Sequence, residues 1–395
     1  NAFGALCIVG WFRHPAERGD LFPEPLIKVR RKSTIAEWRS GSYVGHILAC
    51  VEPTKEGPMS IAAKEVHLLH YPDGVPTRDD FTVRDSVLPR PAIGEVLIEN
   101  IWMSVDPYMR GRMTRRKSYI PPFELNAPLE GHAIGRVIES RDPRFAEGSL
   151  VTSMTGWRSH ALLEADYLHP IPDMPDIAPE KFLSVLGMPG MTAWVGLNRI
   201  ANCKTDDTVF VSAAAGAVGS AVCQLAKAKG CHVIGSTGDR DKAKWLRTEL
   251  KVDAVINYRD TDDLSGSLGE VAPQGIDVYY ENVGGAHLEA ALDHINTGGR
   301  IAVCGMISHY NDKSPQPGPR NLFRVTTQRA KMEGFIVSDH WGSYPDFVRE
   351  GADLVRSGQL KSRETVIMGL ENAAKAFIDL FKGQNTGKML VKLAD

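Results

Sequence analysis

The sequence of 395 residues has few cysteines, no clear excess of either charge and no long uninterrupted hydrophobic segment. Its six cysteines never form the Cys-x-x-Cys spacing of many metal sites, and this usage favours buried thiols in a reducing compartment. With 46 basic and 48 acidic residues, the chain offers no strong field to attract nucleic acid or an anionic membrane. Phe182–Leu197, its least charged stretch, is shorter than the ~20 apolar residues that span a bilayer. We therefore expect a cytoplasmic protein whose partner is a small molecule, with no nucleic acid and no membrane.

The chain is too long for one ordinary hydrophobic core and predicts more than one domain. Residues 1–58 are irregular in pattern and are expected to be an extension that is disordered or loosely attached. From 59 to 187, β-branched runs separated by Pro and Gly clusters predict a β-rich domain. Residues 188–358 are predicted to form a nucleotide-binding domain, and residues 359–395 are expected to return to the β-rich one.

The nucleotide-binding prediction depends on short apolar runs that alternate with helix-compatible segments such as Gly219–Lys229 and Lys242–Leu250. This alternation indicates βαβ units and a parallel sheet with helices on both faces. The expected fold class is therefore α/β, with a doubly wound parallel sheet of the Rossmann type. The predicted strands are Thr208–Ser212, Cys231–Gly235, Ala254–Asn257, Ile276–Glu281, Arg300–Gly305 and Met332–Val337.

A turn of small residues follows the first of these strands and opens a helix. Such a turn lets backbone N–H groups approach a pyrophosphate at the positive end of the helix. Gly216 and Gly219 meet this need, whereas Ala213 stands where the usual pattern has its first glycine. Tight packing of helix on sheet would also explain these glycines, but their place after the first strand of the series favours a dinucleotide.

The end of the second strand indicates which dinucleotide is bound. Enzymes that use NAD tend to carry an acid there for the ribose 2′-hydroxyl, and this chain has Ser236 in that stretch. Ser236 and the nearby cations Arg240 and Lys242 suit the 2′-phosphate of NADPH. The alternative is that Asp239 binds the ribose of NADH and the cations are a solvated helix start.

Five motifs in a fixed order make the sequence resemble the zinc-independent medium-chain reductases, a family that includes prostaglandin, curcumin and plant double-bond reductases. The resemblance extends from about Glu65 to Leu393. In chain order, the five motifs are Val105-Asp-Pro-Tyr-Met-Arg-Gly-Arg-Met, Gly187-Met-Pro-Gly-Met-Thr-Ala, Tyr280-Glu-Asn-Val-Gly-Gly, Cys304-Gly-Met-Ile-Ser-His-Tyr-Asn and Gly383-Gln-Asn-Thr-Gly-Lys.

This resemblance implies a partly open β-barrel of the GroES-like type, a Rossmann domain, a homodimer and an active site between the two domains. It also implies that NADPH donates hydride to the β-carbon of an enone or enal. The residues that it assigns to the cofactor are Lys242 and Tyr258 at the 2′-phosphate, Gly216, Ala217, Val218 and Gly219 at the pyrophosphate, and Asn282, Asn385, Met191 and Thr192 near the ribose and nicotinamide.

Three of these assignments have a purely structural alternative. Tyr258 would also serve to close a strand, Asn282 to cap the turn before Gly284, and Asn385 to stabilise a loop flanked by glycines.

A catalytic zinc ion is not expected. His132 resembles the zinc-binding histidine of metal-dependent relatives, but Asp106 lies where their first cysteine ligand would be. Because a catalytic zinc site needs three protein ligands and only one candidate is present, His132 is interpreted as a structural or cleft histidine.

Reduction of an enone leaves negative charge on the carbonyl oxygen, so a hydrogen-bond donor must face that oxygen. Tyr108 and Tyr310 are the candidate catalytic donors, with the ribose hydroxyl of the cofactor as a third source. Each tyrosine is equally explained as an aromatic wall of the pocket. Two other functions stay open: a quinone oxidoreductase of the same fold, and a non-catalytic NADPH-binding regulatory protein.

Overall fold

The computed structural model describes residues 60–395, so the predicted extension at 1–58 lies outside the described residues. In the described part, residues 61–170 build an antiparallel hairpin and most of a mixed sheet. Its strands are β1 Ile61–Leu68, β2 Phe81–Leu88, β3 Glu95–Ser104, β4 Ala133–Ser140, β5 Leu150–Ser153, β6 His160–Glu164 and β7 His169–Pro170, and its one short α-helix is α1 Met109–Arg112.

The middle of the chain forms a six-stranded parallel sheet with α-helices between its strands. The strands are β8 Thr208–Val211, β9 His232–Thr237, β10 Ala254–Asn257, β11 Ile276–Glu281, β12 Ile295–Val303 and β13 Lys331–Gly334. The helices are α2 Met188–Val195, α3 Ala217–Ala228, α4 Arg240–Thr248, α5 Leu264–Val271, α6 Ala286–His294, α7 Arg324–Thr327 and α8 Tyr344–Arg356.

The strand order of this sheet is β10-β9-β8-β11-β12-β13. After β8 the chain adds strands on one side, and with β11 it crosses to the other side of β8. The carboxyl ends of β8 and β11 therefore flank the point at which the direction of winding reverses. In open α/β sheets, ligands bind in the crevice at this point.

The chain then returns to the mixed sheet through β14 Glu364–Met368, α9 Ala373–Phe381 and β15 Lys388–Lys392. Strand β15 pairs parallel with β14 and antiparallel with β3, which gives the order β14-β15-β3-β4-β5-β7, with β6 also paired to β3. One strand from residues 388–392 thus completes a sheet that begins near residue 95.

The parallel sheet is covered on both faces, and its strands are accordingly apolar on both sides. Val209, Phe210 and Val211 in β8 have no exposed surface. Phe210 stacks on Tyr279 of β11 with ring centroids 5.1 Å apart. This packing fixes the strand ends on which the site is built.

The predicted α/β fold class is confirmed by the parallel sheet together with a separate mixed sheet. The exact domain bounds at residues 187 and 358 stay a prediction. Within residues 60–395, no helix has the length and apolar character that crossing a membrane requires.

Candidate active site

The predicted cofactor turn lies between β8 and α3 at the reversal point of the parallel sheet. Gly216 is the N-cap residue of α3, and no side chain caps this helix end. The N–H groups of the first turn are therefore available to an anion. A Cβ at Gly219 would lie 2.3 Å from the carbonyl oxygen of Ala213, so only glycine allows the helix to pack this closely on the turn. Ala213 itself adopts φ +48°, a left-handed conformation that favours glycine.

A loop from the end of the chain contacts this turn. The N–H of Gly387 donates to Ala215 O at 2.8 Å, and Gly387 forms an isolated parallel bridge with Gly216. Nearby, Asn385 Nδ2 donates to Gly387 O at 2.8 Å. The structure thus brings predicted site residues more than 160 positions apart into one surface, because Asn385 holds the loop that contacts the cofactor turn.

The predicted 2′-phosphate residues lie between α4 and the same loop. Lys242 Nζ donates to Gly383 O at 2.6 Å, and the side-chain carboxylate of Asp239 caps α4 by accepting from Lys242 N. Burial lowers the pKa of Lys242, and the nearby Arg259 lowers it further. Two cations close enough to repel each other suit a phosphate dianion, which would relieve that repulsion.

Tyr258 completes this end of the site. A Cβ at Gly238 would lie 2.5 Å from the Tyr258 hydroxyl, so the ring covers a glycine of the turn after β9. The ring meets His287 edge to face with centroids 5.1 Å apart. Ser236 differs from these neighbours, because it is fully buried and its hydroxyl has no hydrogen-bond partner among the described residues.

Asn282 is anchored to the end of β8. Its Nδ2 donates to Ser212 O at 2.7 Å, and its backbone N–H donates to Ser212 Oγ at 2.9 Å. The preceding residue, Glu281, is fully buried, and its Oε1 accepts from the N–H groups of Val283 and Gly284. These bonds fix Asn282 beside the cofactor turn.

The other two predicted residues lie in α2. Thr192 Oγ1 donates to Met188 O at 2.7 Å, and Thr192 O accepts from the Tyr280 hydroxyl at 2.7 Å. Met191 has no exposed surface and packs in the core beneath the parallel sheet. Met191 therefore acts through packing, whereas Thr192 is the partly exposed member of the pair.

Three phenols share the cleft between the two sheets. Tyr108 and Tyr310 each interact electrostatically with Tyr119, and Tyr119 and Tyr310 both interact with Cys304. Tyr310 also interacts with Glu281, whose Oε1 accepts from Ser212 Oγ at 3.2 Å. The segment of Tyr310 lies at these strand ends, because the N–H of Ile307 donates to Asn282 O at 3.1 Å.

Each phenol stays protonated at neutral pH. Burial, reinforced by the negative charge of Asp106, raises the pKa of Tyr108 well above its usual value. Burial also raises the pKa of Tyr310 to about 12 and raises that of Tyr119. All three are therefore hydrogen-bond donors over the physiological pH range.

Asp106 and His132 are the residues that the sequence resemblance places at the zinc position of metal-dependent relatives. Lys388 Nζ donates to Asp106 Oδ1 at 3.0 Å, so an ammonium group balances this carboxylate. Burial lowers the pKa of His132, which interacts with both Asp106 and Lys388. Among residues 60–395, no group of three His, Cys, Asp or Glu side chains is placed to hold a metal ion.

Three residues of the site carried no predicted role. Tyr119 lies in a loop whose course the sequence does not reveal, and Arg259 follows Tyr258 where a surface charge is ordinary. Lys388 opens the strand Lys388–Lys392, whose three central residues are apolar, and it is buried there.

Comparisons with known proteins identify related sequences and structures. Residues 64–171 match a family model described as the N-terminal domain of oxidoreductase, and residues 217–353 match one described as zinc-binding dehydrogenase. The chain is 39% identical over 339 residues to the NADP(+)-dependent 2-alkenal reductase of Nicotiana tabacum, covering 85% of this chain and 98% of the relative. It is 38% identical over 332 residues to the NADPH-dependent curcumin reductase of Escherichia coli, covering 83% and 96%.

A third relative is prostaglandin reductase 1 of Mus musculus, 38% identical over 335 residues with coverage of 84% and 99%. Among solved structures, CurA from Vibrio vulnificus superposes with a TM-score of 0.80 at 39% identity, covering 84% of this chain and 99% of that one. The same protein in complex with NADPH gives 0.80 at 38% identity, with the same coverage.

Proposed function

Since the chain belongs to the zinc-independent medium-chain dehydrogenase/reductase family, we propose that it reduces the carbon–carbon double bond of α,β-unsaturated ketones and aldehydes. It is an NADPH-dependent oxidoreductase of the alkenal, curcumin and prostaglandin reductase type. The proposal of double-bond reduction depends on one observation: the segments of Tyr108 and Tyr310 are joined by the bond from Arg110 Nε to Asn311 Oδ1 at 3.0 Å, and burial keeps both phenols protonated. Protonated phenols suit a substrate whose carbonyl oxygen gains negative charge.

The described residues fit NADPH. The uncapped first turn of α3 would bind the pyrophosphate, with Gly219 allowing the close approach of helix and turn. Lys242, Arg259 and Tyr258 would bind the 2′-phosphate, and Asn282 and Asn385 would lie toward the nicotinamide end. When bound, NADPH supplies the hydride for the β-carbon.

The tyrosines supply the electrostatic half of the reaction. Tyr108 and Tyr310 donate hydrogen bonds to the carbonyl oxygen as it becomes an enolate, which stabilises the charge where it develops. Tyr119 adds a third hydrogen-bond donor beside Tyr108 and Tyr310. Because Tyr119 is partly exposed, it connects these donors with protons from solvent. Protonation of the enolate then yields the saturated ketone or aldehyde.

The test compares NADPH oxidation with a panel of enones, a quinone and a saturated ketone, and repeats it with NADH and after chelator treatment. We expect enone turnover that prefers NADPH and is indifferent to chelator. With deuterium-labelled NADPH, the label should appear at the β-carbon of the product. Preference for the quinone would instead favour a quinone oxidoreductase, and tight NADPH binding without any turnover would favour a regulatory protein.

We also propose a homodimer in which the β13 strands of two chains pair. Among the described strands, β13 is bonded only to β12 and forms the edge of the parallel sheet. Met332 on this edge is 39% exposed and Phe323 nearby is 73% exposed. An unpaired strand edge is normally covered or protected. Light scattering should give a dimer mass for the wild type and a monomer mass for Met332→Pro.

A cytoplasmic location stays a prediction. It is consistent with the four cysteines of the described residues, all of which are free thiols. Fluorescence microscopy of the tagged full chain would test it directly.

A further inference from the structure

Lys388 is a buried lysine whose ammonium group is fully bonded. The residue is 2% exposed and opens β15. Its Nζ donates to Val105 O at 2.7 Å, to Met389 O at 2.9 Å and to Asp106 Oδ1 at 3.0 Å. An ammonium group has three protons, so these three bonds satisfy it completely.

Two of these acceptors belong to the segment that carries Tyr108. Asp106 is itself buried, and its second oxygen accepts a hydrogen bond from Ser104 Oγ. The Lys388 ammonium therefore holds both the backbone of Val105 and the side chain of Asp106. Tyr108 follows two residues later, at the N-terminus of α1.

On its other side, the start of β15 is fixed to the cofactor turn. The N–H of Gly387 donates to Ala215 O at 2.8 Å, and the N–H of Lys388 donates to Arg363 O at 2.9 Å. A Cβ at Gly387 would lie 1.9 Å from Arg363 O, so this crossing admits only glycine. Consecutive residues 387 and 388 thus contact the cofactor turn and the tyrosine segment.

We propose that Lys388 is a positioning residue that fixes the Tyr108 segment relative to the cofactor turn through its bonds to Asp106 and Val105. The inference rests on the proposed function, since it assigns Tyr108 a place in the reduction. Stability alone does not explain the ion pair, because apolar residues of similar size usually stabilise a protein as well as a buried pair does. What the pair adds is directional bonding between two parts of the site.

The test uses the double variant Asp106→Asn/Lys388→Met, which removes both charges with little change in volume. The single variant Lys388→Met leaves the buried Asp106 carboxylate without its partner. It serves only to measure how much stability that loss costs. Lys392→Met is the matched control, because Lys392 lies on the same strand and pairs with the exposed Asp395. For each variant we would measure urea unfolding, NADPH affinity by fluorescence without acceptor, kcat and KM for an enone, and hydrogen exchange.

We expect the double variant to unfold near the wild-type urea concentration but to lose about 10- to 100-fold in kcat, as misplaced reacting groups do. NADPH affinity should fall several-fold, and hydrogen exchange should rise in the peptides that contain Tyr108 and Gly216. Wild-type kcat and exchange in the double variant would overturn the inference, as would failure of the double variant to fold. If the wild type reduced no enone, the proposed function would fail, and affinity and exchange would still decide the role of Lys388.

Discussion

Arg110 Nε donates a hydrogen bond to Asn311 Oδ1 across 3.0 Å, and this bond joins the segment of Tyr108 to that of Tyr310. The two partners lie 201 positions apart in the sequence. Arg110 is buried, and its Nη2 also donates to Gly74 O at 2.8 Å. One guanidinium therefore sets the spacing between the two predicted donors.

Asn311→Ala tests this spacing. The variant should lose about 1.5–3 kcal/mol of unfolding free energy, since it removes an acceptor from the buried, charged Arg110. Its kcat/KM for an enone should fall about tenfold, because Tyr310 loses its fixed distance from Tyr108. The control is Lys313→Ala, which breaks the exposed ion pair with Asp73 and should change neither quantity measurably. Equal kinetics for the two variants would show that the Arg110 bond does not position Tyr310.

The phenol hydroxyls can be removed without removing the rings. Tyr108→Phe and Tyr310→Phe should each lower kcat, and the double variant should lower it by about 10²- to 10⁴-fold, the usual contribution of a proton donor. NADPH affinity should stay unchanged, because neither hydroxyl is among the groups proposed to bind the pyrophosphate or the 2′-phosphate. Tyr167→Phe is the control, since this ring is 65% exposed. Undiminished turnover in the double variant would show that both tyrosines only line the pocket.

Selectivity for NADPH should depend on Lys242. Loss of a charged hydrogen bond to phosphate costs about 1.5–3 kcal/mol, so Lys242→Ala should raise KM for NADPH by roughly 10- to 150-fold. The KM for NADH, which lacks the 2′-phosphate, should hardly change. Lys244→Ala removes an exposed lysine of the same helix and should leave both values unaltered. A parallel rise in both KM values would place Lys242 elsewhere on the cofactor.

His287 makes stability depend on pH. Burial lowers the pKa of His287 from 6.5 to about 4. Between these values the unfolded chain binds more protons than the folded one, so the unfolding free energy falls as the pH is lowered through this window. The loss is about 3 kcal/mol for a shift of this size. His287→Phe keeps the ring contact with Tyr258. In this variant, the unfolding free energy from urea titrations should change less between pH 7 and pH 4 than in the wild type. The control His232→Phe, at an exposed site, should keep the wild-type dependence on pH.

Ala213 occupies a backbone conformation that costs a non-glycine residue about 1–2 kcal/mol. Because glycine gives back about 0.5–1 kcal/mol through its greater freedom in the unfolded chain, Ala213→Gly should stabilise the protein by about 0.5–1 kcal/mol. Urea unfolding measures the gain. Ala215→Gly in the same turn is the control and should destabilise, since Ala215 has no positive φ. Loss of stability in Ala213→Gly would mean that the Ala213 methyl makes packing contacts worth more than the strain.

Local patterns predicted much of the fold. The strands Ala254–Asn257 and Ile276–Glu281 occur with the predicted bounds. The predicted strand at Arg300–Gly305 begins earlier, at Ile295, because Asn296-Thr-Gly-Gly reads as a turn but is held in β12. Residues 296–299 lie in a register irregularity between the pairs Ile276↔Ile295 and Val278↔Arg300, so the turn-forming residues make a bulge inside the strand.

The site was predicted less completely, for a different reason. Tyr108, Tyr310 and Asn282 stand in recognisable motifs, and Lys242 follows the second predicted strand. Tyr119 and the bonds of Arg110 and Lys388 depend on contacts between segments that are far apart in sequence, and no local pattern specifies such contacts. Lys388, for example, bonds Val105 at a separation of 283 positions.

The pairing of β15 with β3 imposes an order on synthesis. Until residues 388–392 leave the ribosome, Trp102–Ser104 of β3 lack the strand that they pair with in the finished sheet. All six strands of the parallel sheet and their helices emerge earlier, and the residue of β15 that packs in the core of that sheet is Leu390. In a nascent chain, the edge of β3 in the mixed sheet is therefore exposed while the parallel sheet is already forming. Chaperones that shield strand edges would act on that intermediate.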